Sequence, residues 1–224
     1  MQSSKPVEST IQQDHGWNKD DKSPNLFVKE ENNLTVYRHP VVQSTDGIRG
    51  RVEYSRGFHC WKIKWDTKKR GTHAVLGICT AEAPLTHKKY CSLIGMNNES
   101  WGWDITQSKL FHGEDSIKRN NKDYPRVSKT FKSFAIPETI FLLLDMVEGT
   151  LSFVVNGYYL GVAFTGLKGK TLYPAISCVW GNCEIEIRYI NGLERLRLDG
   201  KARKLLQKTL LFFYDNPKHT LNII

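Results

Sequence analysis

The stretch Ile140-Phe-Leu-Leu-Leu-Asp-Met-Val-Glu-Gly-Thr-Leu-Ser-Phe-Val-Val-Asn-Gly-Tyr-Tyr-Leu-Gly-Val-Ala-Phe164 decides the fold. An apolar strand from Ile140 to Met146 meets Glu148-Gly149, and a second from Thr150 to Val155 meets Asn156-Gly157. A third runs from Tyr158 to Phe164. Asn-Gly tolerates the positive φ values of a tight I′ turn, the strongest short-range hairpin signal. The three strands form an antiparallel meander. Leu172-Tyr-Pro-Ala-Ile-Ser-Cys-Val-Trp180 and Cys183-Glu-Ile-Glu-Ile-Arg-Tyr189 then add two more. In the second, Ile185, Ile187 and Tyr189 alternate with Glu184, Glu186 and Arg188, so one face is wet.

The same grammar extends upstream. Leu26-Phe-Val-Lys29 and Leu34-Thr-Val-Tyr-Arg38 flank Glu-Glu-Asn-Asn and read as a hairpin. Phe58-His-Cys-Trp-Lys-Ile-Lys-Trp65 places Trp61, Ile63 and Trp65 on one face and Phe58, Cys60, Lys62 and Lys64 on the other. Ala74-Val-Leu-Gly-Ile-Cys79 reads as a strand buried on both faces, and Trp101 and Trp103 share a face at strand spacing. These tryptophans are expected to pack. No long helical pattern precedes Leu193. After it, Leu196, Leu198, Ala202, Leu205, Leu206 and Leu210 recur at three- and four-residue steps, a helix expected from Lys201. The fold class is therefore all-β: a sandwich of two antiparallel sheets with a short C-terminal helix. Residues 1–24 are polar and expected to be a flexible lead-in, with Trp17 docking on the domain. The sandwich spans 25–192, and 193–224 form a helical extension.

Composition narrows the function. The chain has 224 residues, 40% hydrophobic and 11% aromatic, enough for a sizeable core. No apolar run reaches the roughly 20 residues that cross a bilayer, and the polar start has no secretory signal, so a cytoplasmic location is expected. Five cysteines, an odd number without a Cys-x-x-Cys pair, read as reduced, packed thiols. Cys178 and Cys183 match no metal spacing, so neither metal nor cofactor is expected. The net charge of +9 lies in clusters at Lys68–Arg70, Lys118–Lys122 and the tail. These clusters lack the aromatic interleaving of an RNA-binding sheet, which argues against nucleic acid. Catalysis is not expected either. His59 and Cys60 point to opposite faces of one strand, and no nucleophile elbow, phosphate loop or His-Glu-x-x-His occurs. Asp145 and Glu148 bracket a turn, where carboxylates shape the backbone.

Val41-Val-Gln-Ser-Thr-Asp-Gly-Ile-Arg-Gly50, Arg70-Gly-Thr-His-Ala-Val75, Ser100-Trp-Gly-Trp-Asp104 and Asp145-Met-Val-Glu-Gly-Thr-Leu-Ser-Phe153 occur in that order. They are followed by Gly161-Val-Ala-Phe-Thr-Gly-Leu-Lys-Gly-Lys-Thr-Leu-Tyr-Pro-Ala175 and Val179-Trp-Gly-Asn-Cys183. This series resembles the SPRY domain of the SPRY domain-containing SOCS box proteins. The resemblance implies a SPRY-type sandwich that binds a linear Asp/Glu-Ile/Leu-Asn-Asn-Asn segment of a target. It also implies a C-terminal SOCS box that recruits Elongin B/C and a cullin, making the protein the substrate-recognition part of a ubiquitin ligase. A stand-alone adaptor or competitor is the alternative.

By resemblance, the peptide-contacting positions are Arg38, Pro40, Val42 and Gln43, with Thr72, Tyr90 and Leu93 from mid-chain and Val179, Trp180 and Gly181 from a late loop. These residue types suit an amide-rich ligand. Gln43 donates and accepts at once, Arg38 offers a guanidinium fork, Tyr90 and Trp180 give flat walls with one polar edge, and Gly181 allows close approach. Val42 stands where the family usually has alanine. Leu198, Ala202 and Leu206 keep the spacing of the Elongin-docking motif, but alanine replaces its cysteine and no cullin motif follows.

Overall fold

The computed structural model describes residues 9–113, 122–125 and 135–193, and within them the sandwich is built as the patterning requires. One sheet contains β1 (Trp17–Lys22), β4 (Thr45–Gly50), β13 (Tyr173–Cys178), β6 (Ala74–Cys79), β8 (Ser100–Asp104) and β9 (Lys109–Phe111), in that order. The short β7 (Thr86–His87) pairs on β4. The other orders β12 (Tyr158–Phe164), β11 (Thr150–Val155), β10 (Thr139–Asp145), β5 (Phe58–Trp65), β14 (Glu184–Leu193), β3 (Asn32–Arg38) and β2 (Leu26–Lys29). All pairings between these strands are antiparallel.

The meander forms from its turn residues. Asn156 and Gly157 take φ of 48° and 72°, as a I′ turn needs. At the other hairpin Gly149 takes φ 69°, and Asp145 Oδ1 accepts the Glu148 amide at 2.9 Å, so that carboxylate shapes the turn. Period-2 alternation then sorts the faces. Trp61, Ile63 and Trp65 enter the core between the sheets with Leu142, Leu144, Phe153 and Ile187. Trp101 and Trp103 face them from the opposite sheet. Trp103 packs against Phe153 at a ring separation of 4.8 Å, and its Nε1 donates to the Tyr124 carbonyl at 3.0 Å. Burying each large apolar side chain is worth about 1.5–3 kcal/mol, so this aromatic layer is a principal stabiliser of the sandwich. Phe58 and Cys60, on the other face of β5, join Leu143 and Val154 in a separate small cluster.

The lead-in expected over 1–24 needs correction in its latter half. Ser9–Asp14 form α1, and Trp17–Lys22 form the edge strand β1. Trp17 is fully buried, and its indole Nε1 donates to the Ile185 carbonyl at 3.0 Å. The Gln12 side chain exchanges hydrogen bonds with both backbone groups of Tyr189, at 2.6 and 3.0 Å. Polar composition misleads here because this edge strand buries Trp17 alone and leaves its other residues half-buried or exposed. The C-terminal helix expected from Lys201, and the extension after Leu193, lie outside the described residues.

Candidate functional site

Four connections meet at one end of the sandwich. They are the 39–44 loop between β3 and β4, the 70–73 turn before β6, the 88–93 segment after β7 and the 179–183 turn between β13 and β14. Backbone bonds stitch the first to the last. Arg38 N donates to the Cys183 carbonyl at 3.1 Å, and Asn182 N donates to the Arg38 carbonyl at 2.8 Å. Gly181 is needed for this approach: a Cβ there would lie 2.7 Å from Pro40 Cα. Gly71 serves likewise on the opposite side. It adopts φ +65°, and a Cβ on it would meet Val179 Cγ2 at 3.1 Å and Trp180 Cε3 at 3.2 Å. The third link is a side chain: Gln43 N donates to Tyr90 Oη at 3.0 Å. Behind Tyr90, Thr45 Oγ1 donates to the Lys89 carbonyl at 2.6 Å and accepts the Cys91 amide at 3.0 Å.

On these loops stand large apolar side chains open to solvent: Val42 (80% exposed), Tyr90 (47%) and Trp180 (48%). Pro40, Gln43 and Thr72 are exposed beside them, and Gly181 is half-buried. The sequence-derived set is thus brought to one rim, but not all of it faces out. Leu93 (1% exposed) and Val179 (8%) are buried. Arg38 departs most from expectation. Its guanidinium, expected to face outward, has no exposed surface and pairs with Asp46, Nε to Oδ2 at 2.8 Å. Lone charges are rarely buried, but this one meets both a counter-ion and main-chain acceptors, which offsets its desolvation.

Sequence reasoning missed the layer beneath. Asp46 accepts from Ser23, Asn25 and Ser44 in addition to Arg38, and nothing in the spacing of these residues announces the cluster. Arg70 is a second buried arginine at the rim. It donates to the carbonyls of Ile136 at 2.8 Å, Trp65 at 3.0 Å and Pro137 at 2.5 Å, and burial lowers its pKa to about 10. Burial also raises the Cys91 thiol above its ordinary value, against the opposing hydrogen bond to Thr45, so its thiolate is disfavoured. A serine, a histidine and an aspartate do meet below Thr72. However, Ser92 Oγ donates to Asp104 Oδ2 at 2.7 Å and lies 3.3 Å from His73 Nδ1, so its proton is directed to the carboxylate. That arrangement does not activate a hydroxyl nucleophile. The five thiols are free, and among the described residues no helix is long and apolar enough to cross a membrane.

What the geometry offers is a rim of joined loops that presents Val42, Tyr90 and Trp180 to solvent beside exposed Pro40, Gln43 and Thr72, carried on the double sheet. Solved structures share the architecture. The SPRY domain of human HERC1 aligns with a TM-score of 0.58 at 16% identity, over 79% of this chain and 99% of that domain. The PSpry domain of TRIM65 aligns with a TM-score of 0.57 at 14% identity, over 78% and 89%. The SPRY domain family matches residues 58–189. The class is therefore a SPRY-type β-sandwich interaction module. Human SPRY domain-containing SOCS box protein 1 is 52% identical over 84% of this chain and 68% of its own length. The Drosophila melanogaster protein gustavus is likewise 52% identical, over 84% and 67%. The F-box/SPRY domain-containing protein 1 of Drosophila grimshawi is 40% identical over 79% and 67%. The chain belongs to the SPRY domain-containing SOCS box protein family.

Proposed function

We propose that the rim is a receptor for an extended Asp/Glu-Ile/Leu-Asn-Asn-Asn segment of a target protein. The observation that carries the reading is the set of exposed side chains Val42, Tyr90 and Trp180, held on loops that hydrogen bonds tie together. Exposed aromatic groups on an ordered scaffold dominate binding energetics, since little is lost in ordering them. An Asn-rich peptide offers amides and little apolar surface. Its receptor must replace each lost water contact, because an unpaired buried amide costs about 1–3 kcal/mol. Gln43 beside the open rim supplies both donor and acceptor. Binding, not catalysis, is the role.

As a family member, the chain would deliver the captured protein to a cullin-RING ubiquitin ligase through Elongin B/C. Leu198, Ala202 and Leu206 lie outside the described residues and support this half by spacing alone. Alanine in place of the motif's cysteine favours the second reading, an adaptor or competitor that holds the same peptide without delivering it.

Calorimetric titration of the full chain with an Asp-Ile-Asn-Asn-Asn peptide tests the receptor. A saturable one-to-one isotherm, weakened when the asparagines become alanine, is expected. An isotherm indifferent to that replacement would remove the reading.

A further inference from the structure

We propose that Arg38 is a positioning residue that moulds the rim loop from within and makes no contact with the peptide; the role in binding rests on the receptor reading above. The family resemblance implies a fork aimed at the ligand. The geometry aims it inward. Nε donates to Asp46 Oδ2 at 2.8 Å, Nη1 to the His39 carbonyl at 3.2 Å, and Nη2 to the carbonyls of Val41 at 3.0 Å and Ser44 at 2.9 Å. Every carbonyl so engaged belongs to the loop between β3 and β4. Asp46 is equally committed, because its Oδ1 accepts from Ser23 Oγ at 2.6 Å, Asn25 Nδ2 at 2.9 Å and Ser44 Oγ at 2.9 Å. Both side chains of the pair have 0% exposure, so neither presents charge to a ligand.

Turning three carbonyls inward has its effect on the outer side of the loop. Gln43 is held at φ +53°, a region costly for a side-chain-bearing residue, and its amide points out to Tyr90 Oη. Val42 is thrust into solvent. Strain of this kind persists only where surrounding bonds determine it, and the Arg38 fork is the largest set of such bonds in the loop. The same residue's backbone joins the Trp180 turn through Cys183 and Asn182. Arg38 therefore fixes how the 39–44 loop sits against the Trp180 turn. Lysine cannot replace it: an ammonium keeps the charge but lacks the planar fork that spans a carboxylate and several carbonyls.

The test uses the full chain with Arg38→Lys, and Asn25→Ala as a milder variant that removes one donor to Asp46. Each is titrated with Asp-Ile-Asn-Asn-Asn and Asn-Ile-Asn-Asn-Asn peptides, completing double-mutant cycles. Hydrogen exchange across 39–45 is measured without peptide. Arg38→Lys is expected to weaken the acidic peptide about tenfold or more, independently of the peptide substitution, and to speed exchange in 39–45 while β6 stays protected. Asn25→Ala is expected to move both readouts the same way by less, and it decides the matter if Arg38→Lys does not fold. A loss that vanishes when the peptide lacks its acid would make Arg38 a contact residue and overturn the proposal. Unchanged exchange in 39–45, or faster exchange everywhere with unchanged affinity, would overturn it too. If the wild-type chain bound neither peptide, the receptor reading would fail, while exchange would still decide whether Arg38 shapes the loop.

Discussion

Among residues of the rim, exposure separates two kinds of role. Trp180 and Tyr90 keep about half their surface in solvent, and Leu93 keeps 1%. Truncating the first two removes flat contact area and, at Tyr90, the solvent-exposed bond from Gln43 N, a small loss to the folded chain. Trp180→Ala and Tyr90→Ala are each expected to weaken the Asp-Ile-Asn-Asn-Asn peptide by more than about 1 kcal/mol, with thermal unfolding little changed. Leu93→Ala is expected to do the reverse first, lowering stability by about 2–5 kcal/mol as buried leucine truncations do. Calorimetric affinity and melting temperature on all three chains separate the cases; a Trp180→Ala chain that binds normally would exclude the rim as the site. This division was only partly legible in the sequence. The Val-Trp-Gly-Asn string sits between two strand patterns, so a surface tryptophan could be read there. The Arg38–Asp46 pair could not be, because the positions that satisfy it, Ser23, Asn25 and Ser44, come together only when β1, β2 and β4 converge. An arginine before a loop looks like any solvated charge until the fold supplies its acceptors.

At the level of strands and turns, local chemistry was a good guide wherever a period and a turn residue agreed. Asn156-Gly157, the alternation of Phe58–Trp65 and the apolar run of β6 each specify one conformation, and each forms. Short or edge elements gave no such agreement. β7 has two residues and β9 three, too few to display a period, and β1 hides its strand nature behind charged residues. The joining of separate turns is likewise invisible locally, yet it builds the rim. Gly181 shows how little room it leaves. Its missing side chain is the space occupied by Pro40, whose Cα would lie 2.7 Å and Cβ 2.9 Å from an added methyl group. The nearer atom is backbone and cannot swing aside. Gly181→Ala is therefore expected to push the 39–44 loop from the 179–183 turn, costing about 1–3 kcal/mol of stability and a larger share of peptide affinity. Equal stability with unaltered affinity, measured by denaturant unfolding and calorimetry, would show that the two turns move independently.

The molecule as a whole combines a SPRY sandwich with an extension whose leucines repeat at three- and four-residue steps. In the proposed ligase role that extension would recruit Elongin B/C, and there a single position matters. Leu198, Ala202 and Leu206 stand at i, i+4 and i+8, the spacing that shares one face wherever such a segment is helical. The family's motif has cysteine at the middle position, a residue that behaves as a small buried hydrophobe. Alanine keeps the helical preference but removes one heavy atom from the docking face, a loss on the order of 1 kcal/mol if that atom is fully buried in the complex. Such a loss lowers affinity several-fold without abolishing it, since the flanking leucines remain. The full chain is thus expected to retain Elongin B/C weakly in a pull-down, and Ala202→Cys to raise retention several-fold while peptide affinity stays constant. The constancy matters, because the rim and position 202 share no residue and their effects should add. Failure of both chains to retain Elongin B/C would leave a peptide receptor that competes for its target without marking it. Strong retention by the wild-type chain would mean that the leucines alone suffice for docking.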